Sequence, residues 1–138
     1  MQRLTQEILR LCREYGECRV EAERMEEARR VKNALESVCA MARQRLDISD
    51  PALLLALLDA CEVTRDEGML QEVLDVVGRN LDRLAVSAES VKLLAYCYYY
   101  VEEEECAERA RRMLEELRKM GRGEEELADA ETILEELT

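Results

Sequence analysis

Apolar residues recur every three or four positions along almost the whole chain, the spacing of one face of an α-helix. Leu4, Ile8, Leu11, Cys12 and Tyr15 form one such stripe and predict a helix over about 2–15. Gly16 suits the left-handed position that ends many helices. Cys18, Ala22, Met25, Ala28, Val31, Leu35, Val38, Ala42 and Leu46 keep the same step. They predict a second helix from about 17 to 46, about 45 Å long at 1.5 Å per residue, or broken near Lys32–Asn33.

The stretch "DISDP" stops one helix and starts another. Asp50 can cap the next helix, and Pro51 tolerates its first turn, where no N–H is needed. The third helix, about 51–63, reads "PALLLALLDACEV", with only Asp59 and Glu62 charged after Pro51. A helix apolar on nearly all sides belongs between neighbours. "TRDE" then offers a capping box of Thr64 with Glu67. A fourth helix to about Leu84 follows, with Leu70, Val73, Leu74, Val77, Leu81 and Leu84 inward. Gly78 lies within it, and a closely approaching neighbour would account for a residue that weakens helices.

Ser87 caps a fifth helix over about 88–101, "AESVKLLAYCYYYV". Val91, Leu94, Ala95 and Tyr98 make one stripe, and Leu93, Cys97 and Tyr100 a second. Tyrosine and valine also favour strands. No second strand-like run exists to pair with this one, and a lone strand is not stable, so the stretch reads as another buried helix. A sixth helix, about 104–120, turns Ala107, Ala110, Met113, Leu114 and Leu117 inward and ends at "GRG". A seventh, about 124–137, sets Leu127, Ala130, Ile133, Leu134 and Leu137 against an acidic outer side.

Sliding the chain by 36 residues places Leu57 on Leu93, Leu58 on Leu94 and Cys61 on Cys97. It also places Leu74, Val77, Leu81 and Leu84 on Ala110, Met113, Leu117 and Met120. A further 36 sets Val91, Leu94, Cys97, Tyr98 and Val101 on Leu127, Ala130, Ile133, Leu134 and Leu137. The expected fold is therefore all-α: about seven helices in antiparallel hairpins, stacked as a short, irregular solenoid or orthogonal bundle. A single domain, 1–138, would hold an off-register hairpin at 1–46, equivalent hairpins at 50–84 and 87–120, and a capping helix at 124–137.

Charge narrows the function. The 32 acidic and 20 basic residues give a net charge of −12, which opposes nucleic acid and anionic membrane surfaces. No apolar run reaches the roughly 20 residues that span a bilayer, and the charged amphipathic start is no signal peptide. The six cysteines, 12, 18, 39, 61, 97 and 106, show no CxxC pair, and the chain has no histidine. Cys12, Cys39, Cys61 and Cys97 fall among core-facing neighbours and read as small buried hydrophobes. A Cys12–Cys18 bridge across Gly16 is the one disulfide the spacing suggests. The usage fits the cytoplasm or recombinant production, a reducing compartment, with no targeting signal. There is also no Phe or Trp, one Pro, and arginine supplies 17 of the 20 basic residues. Either a GC-rich gene or a sequence composed for an idealised helical backbone, a de novo designed protein, has this profile.

Ala95, Tyr98 and Ala107 stand at the spacing of the small residue, the aromatic and the helix-opening alanine of a tetratricopeptide hairpin, so helices five and six resemble that family. Asp59, Glu62 and Gln71 depart from the pattern in the preceding repeat, and a period of 36 exceeds the family's 34. It is closer to the related helical-hairpin repeats of organelle RNA-binding proteins, whose basic charge this chain lacks. The resemblance implies an α-solenoid segment whose inner helices hold a peptide.

Two features invite a functional reading. Tyr96, Tyr98, Tyr99 and Tyr100 point to several sides of one helix, so some ring must reach an edge where it can anchor a partner. Packing with the hydroxyls at the rim is the simpler explanation. Glu102 to Glu105 lack the glycine-spaced oxygens of a calcium loop and suit a solvated helix start. Without histidine most triads and di-metal sites disappear, no phosphate-binding glycine loop is present, and no cysteine shows a base partner. The expectation is a protein without catalytic, cofactor or metal residues. It is either a designed-looking structural scaffold or a tetratricopeptide-like adaptor for a peptide or partner helix.

Overall fold

The computed structural model describes residues 2–121 and 124–137. Among them are seven α-helices and no strand: α1 (Gln2–Cys18), α2 (Met25–Arg43), α3 (Pro51–Thr64), α4 (Glu67–Arg79), α5 (Ala88–Val101), α6 (Glu104–Lys119) and α7 (Glu124–Leu137). Single 3-10 turns lie at Ala22–Arg24 and Leu81–Arg83. The all-α class read from periodicity is the class observed. The chain divides into two compact units, one of Met1–Asp47 with Ala52–Val73, the other of Ile48–Pro51 with Leu74–Thr138.

In the first unit α1 packs along α2. The helix does not stop at Gly16. The Arg19 N–H bonds the Tyr15 carbonyl at 3.0 Å, and the helix carries on to bury Cys18. The break falls between Arg19 and Arg24, earlier than Lys32–Asn33, and α2 runs unbroken through those two residues. Its buried face is Ala28, Leu35, Cys39 and Ala42. Leu46 lies beyond its end. In the last turn of α2, Arg43 Nε donates to Glu72 Oε2 at 3.0 Å, and its Nη1 is 3.6 Å from Asp66 Oδ2. Part-exposed pairs of this kind contribute at most about 1 kcal/mol. They do fix where α2 ends against the start of α4.

α3 begins at Pro51, as expected, and buries Leu53, Leu54, Ala56, Leu57, Leu58, Ala60 and Cys61. The capping box is not formed. Thr64 is the last residue of α3, and its hydroxyl donates back to the Ala60 carbonyl at 2.6 Å. Arg65 turns the chain at φ 56°, and Asp66 Oδ1 accepts the Met69 N–H at 3.0 Å, so Asp66 caps α4. α4 buries Met69, Val73 and Val77, with Leu70 and Leu74 half-buried. It ends at Arg79 because Asn80 caps the turn, its side-chain amide donating to the Val76 carbonyl at 2.7 Å. The 3-10 turn then delivers Leu84 to the interior.

In the second unit α5 packs on both α6 and α7, and α6 packs on α7. Ser87 caps α5 as expected, its hydroxyl accepting the Ser90 N–H at 3.1 Å and donating to the Ser90 hydroxyl at 3.0 Å. That satisfies Ser90, which is completely buried. Glu102 ends the helix at φ 52°, with its N–H 2.7 Å from the Tyr98 carbonyl. α6 buries Cys106, Ala107, Ala110, Met113, Leu114 and Leu117 and ends at Lys119, with Gly121 at φ 67° just past its cap Met120. α7 buries Leu127, Ala130 and Leu134, with Ile133 half-buried. The Leu137 side chain lies outside the described residues, as do Arg122 and Gly123. Arg118 Nε reaches Glu131 Oε1 at 2.8 Å, and Lys92 lies 4.0 Å from Asp129, which ties α6 and α5 to α7 at the rim.

The links between α3 and α4 and between α5 and α6 are alike. Each has two residues, a left-handed non-glycine followed by the residue that precedes the next helix. They stand 37 apart, not 36. At 37 the buried set Leu53, Leu54, Ala56, Leu57, Leu58 and Ala60 falls on Ser90, Val91, Leu93, Leu94, Ala95 and Cys97, all buried. Met69, Val73 and Val77 fall on the buried Cys106, Ala110 and Leu114. Between α5 and α7 the offset is 36, and Val91 and Leu94 answer to Leu127 and Ala130, again all buried. The offset of 36 that pairs Cys61 with Cys97 is one residue shorter than the spacing of the two links.

Gly78 is exposed, and a Cβ built on it meets nothing within 4 Å, so no neighbour requires a glycine there. Gly78→Ala should therefore stabilise the protein by about 0.5–1 kcal/mol, the helix-propensity difference between the two residues. Urea titration reads this as a higher midpoint with unchanged slope. A lower midpoint would show that something packs against that position after all.

Candidate functional site

The outer side of α5 is set by helix phase. At 3.6 residues per turn, the buried Ser90, Val91, Leu93, Leu94, Ala95 and Cys97 occupy one broad arc. The remaining arc carries Glu89, Lys92, Tyr96, Tyr99 and Tyr100 at steps of three or four. Tyr99 is 59% exposed, while Tyr96 and Tyr100 are half-buried. The Tyr99 and Tyr100 rings meet edge to face, centroids 5.1 Å apart at 75°. Such a pair holds two large rings in a fixed arrangement at low entropic cost.

Tyr98 stands apart from the other three. It sits within the buried arc, half covered, and its hydroxyl donates to Glu104 Oε1 at 3.3 Å across the turn. The Glu104 carboxylate beside it, helped by partial burial, holds the Tyr98 phenol above its ordinary value. Of the four candidates, then, Tyr96, Tyr99 and Tyr100 share a ridge and Tyr98 braces the link behind it. The residues carrying the tetratricopeptide spacing are internal: Ala95 and Ala107 are buried and Tyr98 is half-buried. At an offset of 37 the residues that fall on them are Leu58, Cys61 and Leu70, an apolar set, whereas an offset of 36 gives Asp59, Glu62 and Gln71.

Glu102 to Glu105 are all exposed and divide into two jobs. Glu102 and Glu103 form the link, and Glu104 and Glu105 occupy the first turn of α6, where carboxylates complement the helix dipole. Among the described residues no group of three or more metal-ligating side chains comes together. No helix among them is long and apolar enough to cross a membrane.

The sequence reading missed a basic hollow on the α1–α2 pair. A pocket of about 310 Å³ is lined by Tyr15, Arg19, Met25, Ala28, Arg29 and Lys32. On the same pair a second, more apolar groove of about 390 Å³ is lined by Arg3, Leu4, Glu7, Val38, Met41 and Arg45. Periodicity within either helix cannot reveal such hollows, because each is made by residues of both.

All six cysteines are free and buried, Cys18 from its apolar stripe and Cys106 from outside the stripe predicted for the sixth helix. The Cys12–Cys18 bridge is not formed. Burial is the main cause that pushes the Cys39 thiol up to about 11 and those of Cys12, Cys61 and Cys97 up to about 12. Cys18 and Cys106 shift the same way, again chiefly through burial. A thiolate is the nucleophilic form, so these side chains are inert packing groups. At about pH 8 the folded protein should resist thiol reagents such as Ellman's for as long as it stays folded, and all six should react once denaturant is added. Fast labelling of the native protein would contradict this placement. No protein family, no curated protein and no solved structure matches the chain.

Proposed function

We propose that this chain is a non-catalytic helical-hairpin scaffold that holds a partner protein or peptide against the tyrosine ridge of α5. The observation that carries the reading is Tyr99. It is a large aromatic side chain, mostly exposed, locked edge to face with Tyr100 on a helix whose other sides are buried. Tyrosine held rigid at a surface is typical of binding hot spots. Lys92 and Glu89 on the same arc would give the ridge a polar rim. A two-residue link recurs 37 residues on with matching burial, which suits a helical-hairpin scaffold, while the tetratricopeptide part of the reading rests only on the sequence spacing of Ala95, Tyr98 and Ala107. Six free, buried thiols suit a reducing compartment. A net charge of −12 weighs against nucleic acid as the partner.

The second reading is an idealised scaffold with no ligand, favoured by the missing residue types. Several local features run against idealisation. Arg65 and Glu102 hold positive φ where a designer would place glycine, and Gly16 and Gly78 sit inside helices with open space around them.

Affinity capture from lysate, followed by titration of the captured protein, separates the two. The interaction reading predicts a saturable partner. Tyr99→Ala should weaken its binding by at least about 2 kcal/mol, roughly thirtyfold in Kd, while Tyr98→Phe leaves it unchanged. A partner indifferent to Tyr99, or none at all, would leave the scaffold reading in its place.

A further inference from the structure

We propose that the hollow between α1 and α2 is an anion site that takes a phosphate monoester carried on a small apolar body. Its wall holds three cations, Arg19, Arg29 and Lys32, and no carboxylate. Arg19 is held in place from both sides: its Nη1 donates to the Val63 carbonyl at 3.1 Å, and its guanidinium lies 5.8 Å from the centre of the Tyr15 ring. Arg29 and Lys32 are different. Among the described residues neither side chain is ion-paired or hydrogen-bonded, although Lys32 is half-buried. Five arginines elsewhere do meet carboxylates: Arg10 with Glu7 and Glu14, Arg24 with Glu27, Arg43 with Glu72, Arg112 with Glu108, Arg118 with Glu131. What distinguishes this hollow is that three cations line it together with no carboxylate among them.

The charge distribution points the same way. Residues 1–47 hold ten basic and nine acidic side chains, whereas residues 48–138 hold ten basic and 23 acidic ones. The whole negative excess therefore lies outside the α1–α2 segment, and the cationic pocket sits in a stretch of near-neutral net charge. Three cations outweigh a single carboxylate but suit a phosphate monoester, which carries about −1.5 to −2 at neutral pH. Arginine offers forked donors and lysine a point charge to the phosphate oxygens. The Tyr15 ring, the Ala28 floor and Met25, 58% exposed, then offer apolar contact to whatever the phosphate is attached to. A volume of about 310 Å³ admits one small group and not an extended chain.

Phenyl phosphate is the direct probe, titrated into the full-length protein and followed by amide chemical shifts. Saturable binding with a Kd below about 1 mM is expected, with shifts centred on Tyr15, Arg19 and Ala28. Added salt should weaken it, because the cations are exposed enough to be screened. The double variant Arg29→Gln/Lys32→Gln should weaken it about tenfold or more while leaving the helical circular dichroism unchanged. Benzyl alcohol should not bind, and inorganic phosphate should bind more weakly than phenyl phosphate. Absence of saturation up to about 10 mM overturns the proposal. So does binding that the double variant does not affect, or inorganic phosphate binding as tightly as phenyl phosphate, which would indicate an adventitious ion only. None of these outcomes depends on the tyrosine ridge of α5.

Discussion

A helix that is apolar over most of its circumference must bury most of it, and α3 and α5 are two such helices. Burying a leucine side chain is worth about 1.5–3 kcal/mol, and α3 and α5 between them bury Leu53, Leu54, Leu57, Leu58, Leu93 and Leu94 almost completely. The amphipathic helices are arranged by that requirement. In the second unit α6 and α7 both pack on α5, each burying a stripe and leaving its charged side outward. The only polar side chain buried deep on α5 is Ser90, and the capping hydroxyl of Ser87 satisfies it. The six cysteines belong to the same logic, as small apolar side chains buried in the interior.

The sequence was most legible where burial decides the structure. α5 and α7 begin and end where periodicity and capping placed them, and α3 differs by one residue. Legibility failed where a short polar group had two local choices. Thr64 looked like a cap, but its hydroxyl bonds the carbonyl four residues back, and Asp66 does the capping. Gly16 looked like a helix end, but a glycine keeps ordinary helical geometry when the residue beyond it, here Cys18, has a core to enter. The offset of 36 follows side-chain identity, while the two links stand 37 apart, where Arg65 and Glu102 take the same rare backbone conformation. A charged residue in that conformation leaves no mark in a hydrophobic pattern.

The candidate sites divide along the same line. The tyrosines were conspicuous in the sequence, and only the phase of α5 sorts them, turning Tyr96, Tyr99 and Tyr100 outward and using Tyr98 to brace the link to α6. The basic hollow was invisible because it needs Tyr15 and Arg19 from one segment beside Arg29 and Lys32 from another. A trace of it does exist in the sequence. The acidity that characterises the whole chain is absent from its first 47 residues, and a segment-by-segment count of charge exposes the difference.

The claim on which the rest stands is that α3 and α5 are the buried members of the fold. Native-state amide hydrogen exchange tests it residue by residue. The slowest amides should lie in Leu54–Cys61 and Leu93–Cys97, with the 3-10 turns at Ala22–Arg24 and Leu81–Arg83 exchanging orders of magnitude faster. Amides of either helix exchanging as fast as those turns would contradict the account.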